Sequence, residues 1–283
     1  MDERSVQFQE WQCRERRLPL TRPLVMGIVN VTPDSFSDGG KWFDEERAVA
    51  HALELVEEGA DILDIGGEST QPGIAPVSED EECRRVLPVI RRVTAACDVP
   101  ISVDTRNAAV AREAVAAGAC IVNDVMPFAG DVAMAAVVRE TGAGMVAMHM
   151  RGTPQDMAGL TGYDDVVGEV EEELRKALVF AAEQGIAAEQ MVIDPGIGFA
   201  KDTAQNVALL AATERFTRLA PVLIGVSRKR FIGELCNEPV PTERVGGSVG
   251  IAVWCAMHGA AVVRVHDVKA TRQALTVVQA LMA

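Results

Sequence analysis

Eight short apolar runs recur along the chain, and a longer stretch with helical periodicity follows each of them. The runs lie at 24–29, 62–65, 101–103, 120–122, 144–148, 191–193, 222–226 and 261–265. Their length and composition predict strands that are buried on both faces. The longer stretches predict helices near 44–58, 78–97, 106–117, 130–141, 163–184, 203–212, 228–236 with 244–258, and 268–281. Strands that alternate with helices pair in parallel through right-handed crossovers, so we predict an α/β fold.

Eight strand–helix units favour a single (β/α)8 TIM barrel. A doubly wound open sheet is the alternative, but no G-x-G-x-x-G follows the first strand, which weighs against a dinucleotide-binding fold. No linker interrupts the alternation, so we predict one domain over 24–283. Residues 1–23 are polar and basic, and we expect a short N-terminal extension there, in the form of a hairpin that closes one end of the barrel.

Composition excludes several classes of protein. No apolar run is long enough for a membrane span, and the basic N-terminus lacks the apolar segment of a signal peptide. The six cysteines are widely spaced without a C-x-x-C motif, which indicates reduced thiols and a cytoplasmic protein. The net charge of −14 argues against a nucleic-acid partner.

The charge is unevenly distributed. Between 214 and 272 there are nine basic and five acidic residues, an excess of four positive charges in an acidic chain. A basic region of this kind is a candidate anion site, and an uneven surface is the alternative reading of the same count.

Polar side chains follow the predicted strands at the points where the strands end. They are Asn30, Glu68, Asp104, Asn123, Asp124, His149, Asp194, Ser227, Lys229 and His266, and Arg264 lies within the last strand. Taken singly, most of them are typical of turns and helix caps. An arginine inside an apolar strand needs a partner, because an unpaired buried charge is very costly. In a barrel these strand ends all meet at the carboxyl-terminal mouth, where such enzymes hold their active sites.

The mixture of side chains suggests the chemistry of the ligand. Strands seven and eight contribute bases, namely Lys229, Arg264 and His266, which suit a phosphate or carboxylate group. Strands three, four and six contribute Asp104, Asn123 and Asp194, which suit a heterocycle with several N–H donors on one edge. We therefore predict a ligand with a donor-rich ring and an anionic tail. A hydrolase triad is disfavoured because no G-x-S-x-G occurs, and a histidine-rich metal site because the chain has four histidines and no H-E-x-x-H. His149, between two methionines, is expected to be a packed core imidazole.

The first strand runs into a polar loop, 30–40, that is rich in Pro, Asp, Ser and Gly. These residues favour turns, so we predict a mobile loop at the strand end. Phe36 is the exception within it, and an aromatic side chain there either packs into the core or contacts a ligand.

Eight motifs in this chain resemble those of the dihydropteroate synthase family. They are MGIVNVTPDSFSDGG (26–40), DIGGESTQPG (64–73), ISVDT (101–105), IVND (121–124), MHM (148–150), DPGIGFAK (194–201), GVSRK (225–229) and VRVHDV (263–268). They occur in the family's order and extend over nearly all of the chain from residue 24. The resemblance implies a (β/α)8 barrel that condenses 6-hydroxymethyl-7,8-dihydropterin diphosphate with p-aminobenzoate, giving 7,8-dihydropteroate and diphosphate in folate biosynthesis.

The resemblance also implies roles for individual residues. The pterin would be bound by Asp104, Asn123, Val125, Met148, Asp194, Gly225 and Lys229. The p-aminobenzoate would be framed by Phe36, Thr70, Pro72, Phe199 and Ser227. The diphosphate would be held by Asn30, Arg264 and His266, with Mg²⁺ bridging it to Asn30. The catalytic residues would be Asp104, Lys229, Arg264 and His266. A homodimer and sensitivity to sulfonamides are further expectations from the family.

Two positions depart from the family pattern. Gln71 stands where the family usually has Arg, which affects the charge available to the loops, and Ala200 stands where Gly is common. Two alternatives stay open on these residues. One is a pterin-binding paralogue with weak or no synthase activity. The other is a related pterin-dependent methyltransferase domain, against which the SFSDGG loop motif and the SRK run both argue.

Overall fold

The computed structural model describes residues 8–32, 41–69 and 76–282, and for 41–44 it describes the backbone without the side chains. The described strands are β1 Glu10–Cys13, β2 Arg16–Pro19, β3 Leu24–Asn30, β4 Ile62–Gly66, β5 Ile101–Asp104, β6 Ile121–Asp124, β7 Gly144–Met148, β8 Met191–Asp194, β9 Leu223–Gly225 and β10 Val262–Val265. The described helices are α1 Lys41–Glu57, α2 Glu79–Ala96, α3 Ala108–Ala117, α4 Met134–Thr141, α5 Val166–Glu183, α6 Thr203–Ala211, α7 Thr213–Phe216, α8 Arg230–Cys236, α9 Val245–Met257 and α10 Val268–Met282.

Strands β3 to β10 form one parallel eight-stranded sheet in which β3 pairs with both β4 and β10. The sheet closes on itself between β8 and β9. A parallel bridge joins Ile193 to Val222, and the Ile193 amide donates to the Pro221 carbonyl at 2.9 Å. The predicted (β/α)8 barrel is therefore confirmed. None of the described helices is long and apolar enough to cross a bilayer.

The barrel strands are buried on both faces, as continuous apolar runs require. Their outward side chains, such as Val25, Leu63 and Val103, pack against the surrounding helices in the largest core cluster. Their inward side chains, such as Met26 and Ile62, form a separate apolar layer inside the barrel. Two packed layers on either side of one sheet give the strand ends a rigid base.

A hairpin of β1 and β2 covers the amino-terminal end of the barrel. Trp11 is fully buried there and donates its indole N–H to the Gln190 carbonyl at 2.8 Å. Gly144, at the start of β7, leaves room for it, since a Cβ at that glycine would lie 2.6 Å from Cys13 Sγ and 2.9 Å from Trp11 Nε1.

Some helix boundaries differ from those predicted. The helix predicted from 130 begins at Met134, because the Asp131 carboxylate accepts from the Ala133 amide at 2.9 Å and holds a turn before the helix. The helix predicted from 163 begins at Val166, after Asp165 caps it by accepting from the Gly168 amide at 3.1 Å. The single turn of α7 was not predicted, because four residues are too few to show a helical period.

Candidate active site

A layer of polar side chains lies directly above the apolar layer inside the barrel. Strand side chains alternate between faces, so a residue two positions after an inward-facing one also faces inward. Inward-facing Ile62, Ile121, Val192 and Val262 are thus followed by Asp64, Asn123, Asp194 and Arg264. The sequence changes from apolar to polar at the same height on several strands, which produces one polar cavity floor at the carboxyl-terminal mouth.

Arg264 is the centre of this floor. Its Nε donates to Asp64 Oδ2 at 2.6 Å, and its Nη2 donates to Asp104 Oδ2 at 2.6 Å. Asn123 Nδ2 donates to the same Asp64 oxygen at 3.1 Å. Four side chains from β4, β5, β6 and β10 are therefore joined in one hydrogen-bonded network. The partner that the sequence required for Arg264 is a pair of carboxylates.

Burial raises the pKa of Asp104 to about 7, while Arg264 acts to lower it and Asp64 to raise it. The carboxylate is thus held at the edge of ionisation near neutral pH. Asp104 has room beside it, because the neighbouring strand carries Gly66, where a Cβ would lie 3.3 Å from Asp104 Cβ.

Asp194 and Lys229 form the other side of the cavity. Burial raises the pKa of Asp194, and the charge of Lys229 opposes that shift. Burial likewise lowers the pKa of Lys229 to about 8, which Asp194 opposes. Between Asp194 and Arg264 lies Gly225, where a Cβ would be 3.8 Å from Asp194 Oδ2 and 3.9 Å from Arg264 Cβ. A larger side chain at Gly225 would occupy the space that these charged groups face.

Phe199 lies at the rim on the loop after β8. The Lys229 ammonium lies 4.6 Å from the centre of its ring, a cation–π distance, and donates to the Ile197 carbonyl of the same loop. Gly198 has φ +83°, and a Cβ there would lie 3.1 Å from Lys229 Cδ. The loop therefore follows the lysine side chain closely, which brings an aromatic ring to the cation.

Ser227 and His266 pair at the ends of β9 and β10. Ser227 Oγ accepts from the His266 amide at 3.1 Å and lies 3.0 Å from His266 Nδ1. Burial, followed by the charges of Arg228 and Arg264, lowers the pKa of His266 to about 4, so the ring is neutral at pH 7. Arg228 adopts φ +61° and forms a two-pronged ion pair with Asp267 at 2.6 and 3.1 Å, which fixes the backbone beside Ser227.

The remaining predicted site residues have different positions. Val125 and Met148 are buried at the ends of β6 and β7, and Asn30 is exposed at the end of β3. Phe36, Thr70 and Pro72 lie outside the described residues, as do Gln71 and the mobile-loop prediction for 33–40. His149 is buried. Its Nε2 lies 2.8 Å from Glu173 and its Nδ1 3.0 Å from Lys201, in keeping with a packed and bonded imidazole.

Two buried charged residues close to the cavity were not predicted. Asp64 lies within the apolar run ILDIG, and the signal was its charge at an inward position of a buried strand. Lys201 ends the DPGIGFAK motif and is only 5% exposed, although lysine is rarely buried. No periodicity indicates that burial, because the lysine lies in a loop.

No group of three or more histidine, cysteine or acidic side chains that could hold a metal occurs within 8–32, 41–69 and 76–282. The cavity instead holds both kinds of charge side by side, with Arg264 bonded to Asp64 and Asp104, and with Lys229 near Asp194. It can hydrogen-bond a ring with several N–H groups and attract an anion at the same time.

Comparisons with known proteins agree with this geometry. The family model described as "Pterin binding enzyme" matches residues 26–266. The dihydropteroate synthase of Escherichia coli K12 is 45% identical, over 94% of this chain and 94% of its own. That of Bacillus subtilis is 47% identical, over 88% and 85%. The solved dihydropteroate synthase of Xanthomonas albilineans with 4-aminobenzoic acid has a TM-score of 0.92 and 51% identity, over 97% of this chain and 98% of its own. A second structure of that protein, with 7,8-dihydropteroate, has a TM-score of 0.89 and 49% identity, over 97% and 99%.

Proposed function

The chain belongs to the pterin-binding enzymes and, among them, to the dihydropteroate synthases, and on that premise we propose the reaction that it catalyses. It condenses 6-hydroxymethyl-7,8-dihydropterin diphosphate with p-aminobenzoate and releases diphosphate. The observation that carries the proposal is the network that joins Arg264 to Asp64, Asp104 and Asn123 beneath a cavity with Lys229 on its far side. A transferase whose substrate has a donor-rich ring and an anionic leaving group needs both hydrogen-bond acceptors and cations within reach of that one molecule.

The pterin ring lies on the polar floor in this proposal. Asn123 and Asp194 accept from the N–H groups of its amino-pyrimidinone edge, and Lys229 donates to its oxygen and nitrogen side. Gly225 leaves the space that the ring fills, and Val125 and Met148 form its apolar walls. The place of Asp104 on the floor, bonded to Arg264, supports a further role, because a carboxylate at the ring can stabilise positive charge that develops there.

The diphosphate lies toward Asn30, Arg264 and His266. Asn30 is exposed at the end of β3, which makes its amide oxygen a candidate ligand at the mouth. A single amide fits Mg²⁺, which keeps several waters and is usually bound through substrate phosphates with few protein ligands. When bound, the ion would neutralise charge on the departing phosphate oxygens. A neutral His266 can donate one hydrogen bond to an anion, while Arg264 supplies the fixed positive charge.

We propose that the C–O bond breaks before the amine attacks. The arylamine is a weak nucleophile that needs no base to attack, so the departure of diphosphate from the CH₂ group is the harder step. Arg264 assists it at the anionic end, and the Asp104 carboxylate favours the cationic ring that remains. Diphosphate released without amine would support this order. A rate that depends on the identity of the amine at saturation, with no release in its absence, would exclude it.

The p-aminobenzoate lies at the rim, between Phe199 and Ser227. The half-buried ring of Phe199 offers an aromatic face to this ligand. The Ser227 hydroxyl, beside His266, offers it a hydrogen bond. Phe36, Thr70 and Pro72 complete this assignment, on the sequence resemblance alone.

We also propose a homodimer in a reducing cytoplasm. Apolar side chains on α9 and α10 are unusually exposed, among them Trp254 at 48%, Val277 at 60% and Leu281 at 81%. Exposed apolar patches of this kind mark interfaces. Sedimentation of Trp254→Glu tests the dimer, since a variant that still sediments as a dimer would place the interface elsewhere. All six cysteines are free, which suits reduced thiols.

A turnover assay tests the proposed reaction. Pterin diphosphate, Mg²⁺ and p-aminobenzoate are mixed with the protein, and both diphosphate and dihydropteroate are measured. Asp194→Asn should lose most of this activity, whereas Asp98→Asn, an exposed acid paired with Arg16 at 2.5 Å, should keep it. Binding of the pterin without release of diphosphate would favour the non-catalytic paralogue.

A further inference from the structure

A second buried lysine lies close to the cavity and has no part in the proposed chemistry. Lys201 Nζ lies 3.0 Å from the Gly196 carbonyl, 2.8 Å from the Phe199 carbonyl and 3.0 Å from His149 Nδ1. Three acceptors around one nitrogen match the three N–H donors of an ammonium. The lysine therefore joins both ends of the segment 196–199 and links them, through His149, to the end of β7.

The histidine in this set is itself held in place. His149 Nε2 lies 2.8 Å from Glu173 Oε2, and because a carboxylate only accepts, the ring proton lies on Nε2. His149 Nδ1 is thus an acceptor that faces Lys201. Glu173, on α5, also accepts from Arg151, so the chain of contacts runs from a helix on the outside of the barrel to the loop beside the cavity.

The loop after β8 cannot keep its shape through regular secondary structure. Gly196, Gly198 and Ala200 all have positive φ, at +68°, +83° and +50°. At Gly196 a Cβ would lie 1.8 Å from the His149 carbonyl, so the backbone there passes very close to its neighbour. A backbone in this form makes few regular hydrogen bonds. The Phe199 amide donates to the Gly196 carbonyl at 3.1 Å, and side chains supply further donors. Lys201 supplies them from one side, and Lys229 supplies one to Ile197 from the cavity side.

Burying Lys201 carries a free-energy cost. Burial lowers the pKa of Lys201 to about 7, with the charges of Asp194 and Glu173 acting to raise it and those of Lys229 and Arg151 to lower it. A buried cation is tolerated only when hydrogen bonds compensate for lost water. Here every compensating bond goes to the loop that carries Phe199 or to the histidine beneath it.

We infer that Lys201 is a positioning residue for the second substrate: it fixes the Gly196 and Phe199 carbonyls, and so the Phe199 ring, against which the arylamine packs. This inference rests on the proposed function. Lys201 itself touches no substrate and acts through the loop. The pterin end also contacts this loop, through Lys229. It depends on Lys201 less, because Asn123 and Arg264 are held by strands and by Asp64.

Steady-state kinetics of Lys201→Met test the inference. We expect the KM for p-aminobenzoate to rise about tenfold, because a misplaced ring loses contact with the arylamine, while kcat and the Kd for pterin diphosphate change less than about threefold. Gln190→Met is the matched control. It removes a buried side chain that donates to the Ala143 carbonyl at 2.8 Å, at the opposite end of the barrel, and its KM values should equal those of the wild type.

Two outcomes overturn the inference: an unchanged KM for p-aminobenzoate in a folded Lys201→Met, or a larger change in pterin affinity than in that KM. If Lys201→Met does not fold, Glu173→Ala replaces it, since Glu173 is half-exposed and its loss removes the acceptor that holds the His149 Nε2 proton. A smaller rise in the same KM supports the inference, and no change overturns it. Wild-type turnover is measured first, so its absence counts against the proposed reaction and not against the role of Lys201.

Discussion

Replacing Arg264 by Met should destabilise the protein in a way that depends on pH. The guanidinium lies 2.6 Å from both Asp64 and Asp104, and Asp64 is fully buried. Removing the shared cation leaves two carboxylates close together without a counter-charge. Breaking a buried pair of this kind costs about 3–5 kcal/mol. The same side chain removed from an exposed pair costs less than about 1 kcal/mol.

The direction of the pH effect follows from Asp104. Its pKa is already raised to about 7 by burial, and Arg264 is the charge that opposes this shift. Without Arg264 the folded-state pKa rises further above the unfolded value. A raised carboxyl pKa destabilises the folded protein above that pKa, and the penalty disappears as the pH falls and the group binds a proton. We therefore expect a loss of about 4 kcal/mol at pH 8 and about 2 kcal/mol at pH 5.

Urea unfolding, followed by circular dichroism at both pH values, measures this difference. Arg175→Met is the control, because Arg175 is half-exposed and pairs with Glu171 at 2.7 Å on the outside of α5. It should change the free energy of unfolding by less than about 1 kcal/mol at either pH. Equal losses at pH 5 and pH 8 for Arg264→Met, or a loss at pH 8 no larger than that of the control, would refute the charge network as described.

Three further predictions concern the cavity. The kcat/KM of the wild type should rise as the pH passes through about 7, the pKa of Asp104. Asp104→Asn should be slow, and its kcat/KM should show no rise near pH 7. A rise that persists in the variant would assign the titration to another group. Gly196→Ala should lower the free energy of unfolding by more than about 3 kcal/mol, because Gly196 has φ +68° and a Cβ there would lie 1.8 Å from the His149 carbonyl. A denaturation midpoint equal to that of the wild type would disprove the close contact. Lys229→Met should weaken binding of a pterin diphosphate at least tenfold, by about 1.4 kcal/mol or more in calorimetry, and unchanged affinity would remove Lys229 from the pterin site.

Much of the barrel could be predicted because both the short apolar strands and the amphipathic helices are visible as patterns in the sequence. Apolar runs separated by helical stretches predict the parallel closed sheet, and polar residues at strand ends predict its active mouth. Helix starts such as Met134 could not be predicted, since they depend on which carboxylate caps which amide. Asp131 caps its own turn and also accepts from the Ala108 amide of α3 at 3.0 Å, which no local pattern reveals.

The sequence also could not predict which side chains pair with each other in the cavity. Arg264 required a counter-charge, but the sequence does not say that Asp64, 200 positions away, provides it. The loop after β8 is similar. Its glycines indicate turns. The bonds that Lys201 makes depend on three-dimensional contacts, such as the one with His149, which is 52 positions away in the sequence.

The hairpin that carries Trp11 has a consequence for the order of events. Because Trp11 and the hairpin cover the amino-terminal end of the barrel, we expect ligands to reach the polar floor through the carboxyl-terminal mouth. The floor formed by Asn123 and Arg264 lies deeper than the rim near Phe199, so we expect the ligand of the floor to bind first. A cavity closed at one end thus favours ordered binding, in which the second ligand covers the first until the product leaves.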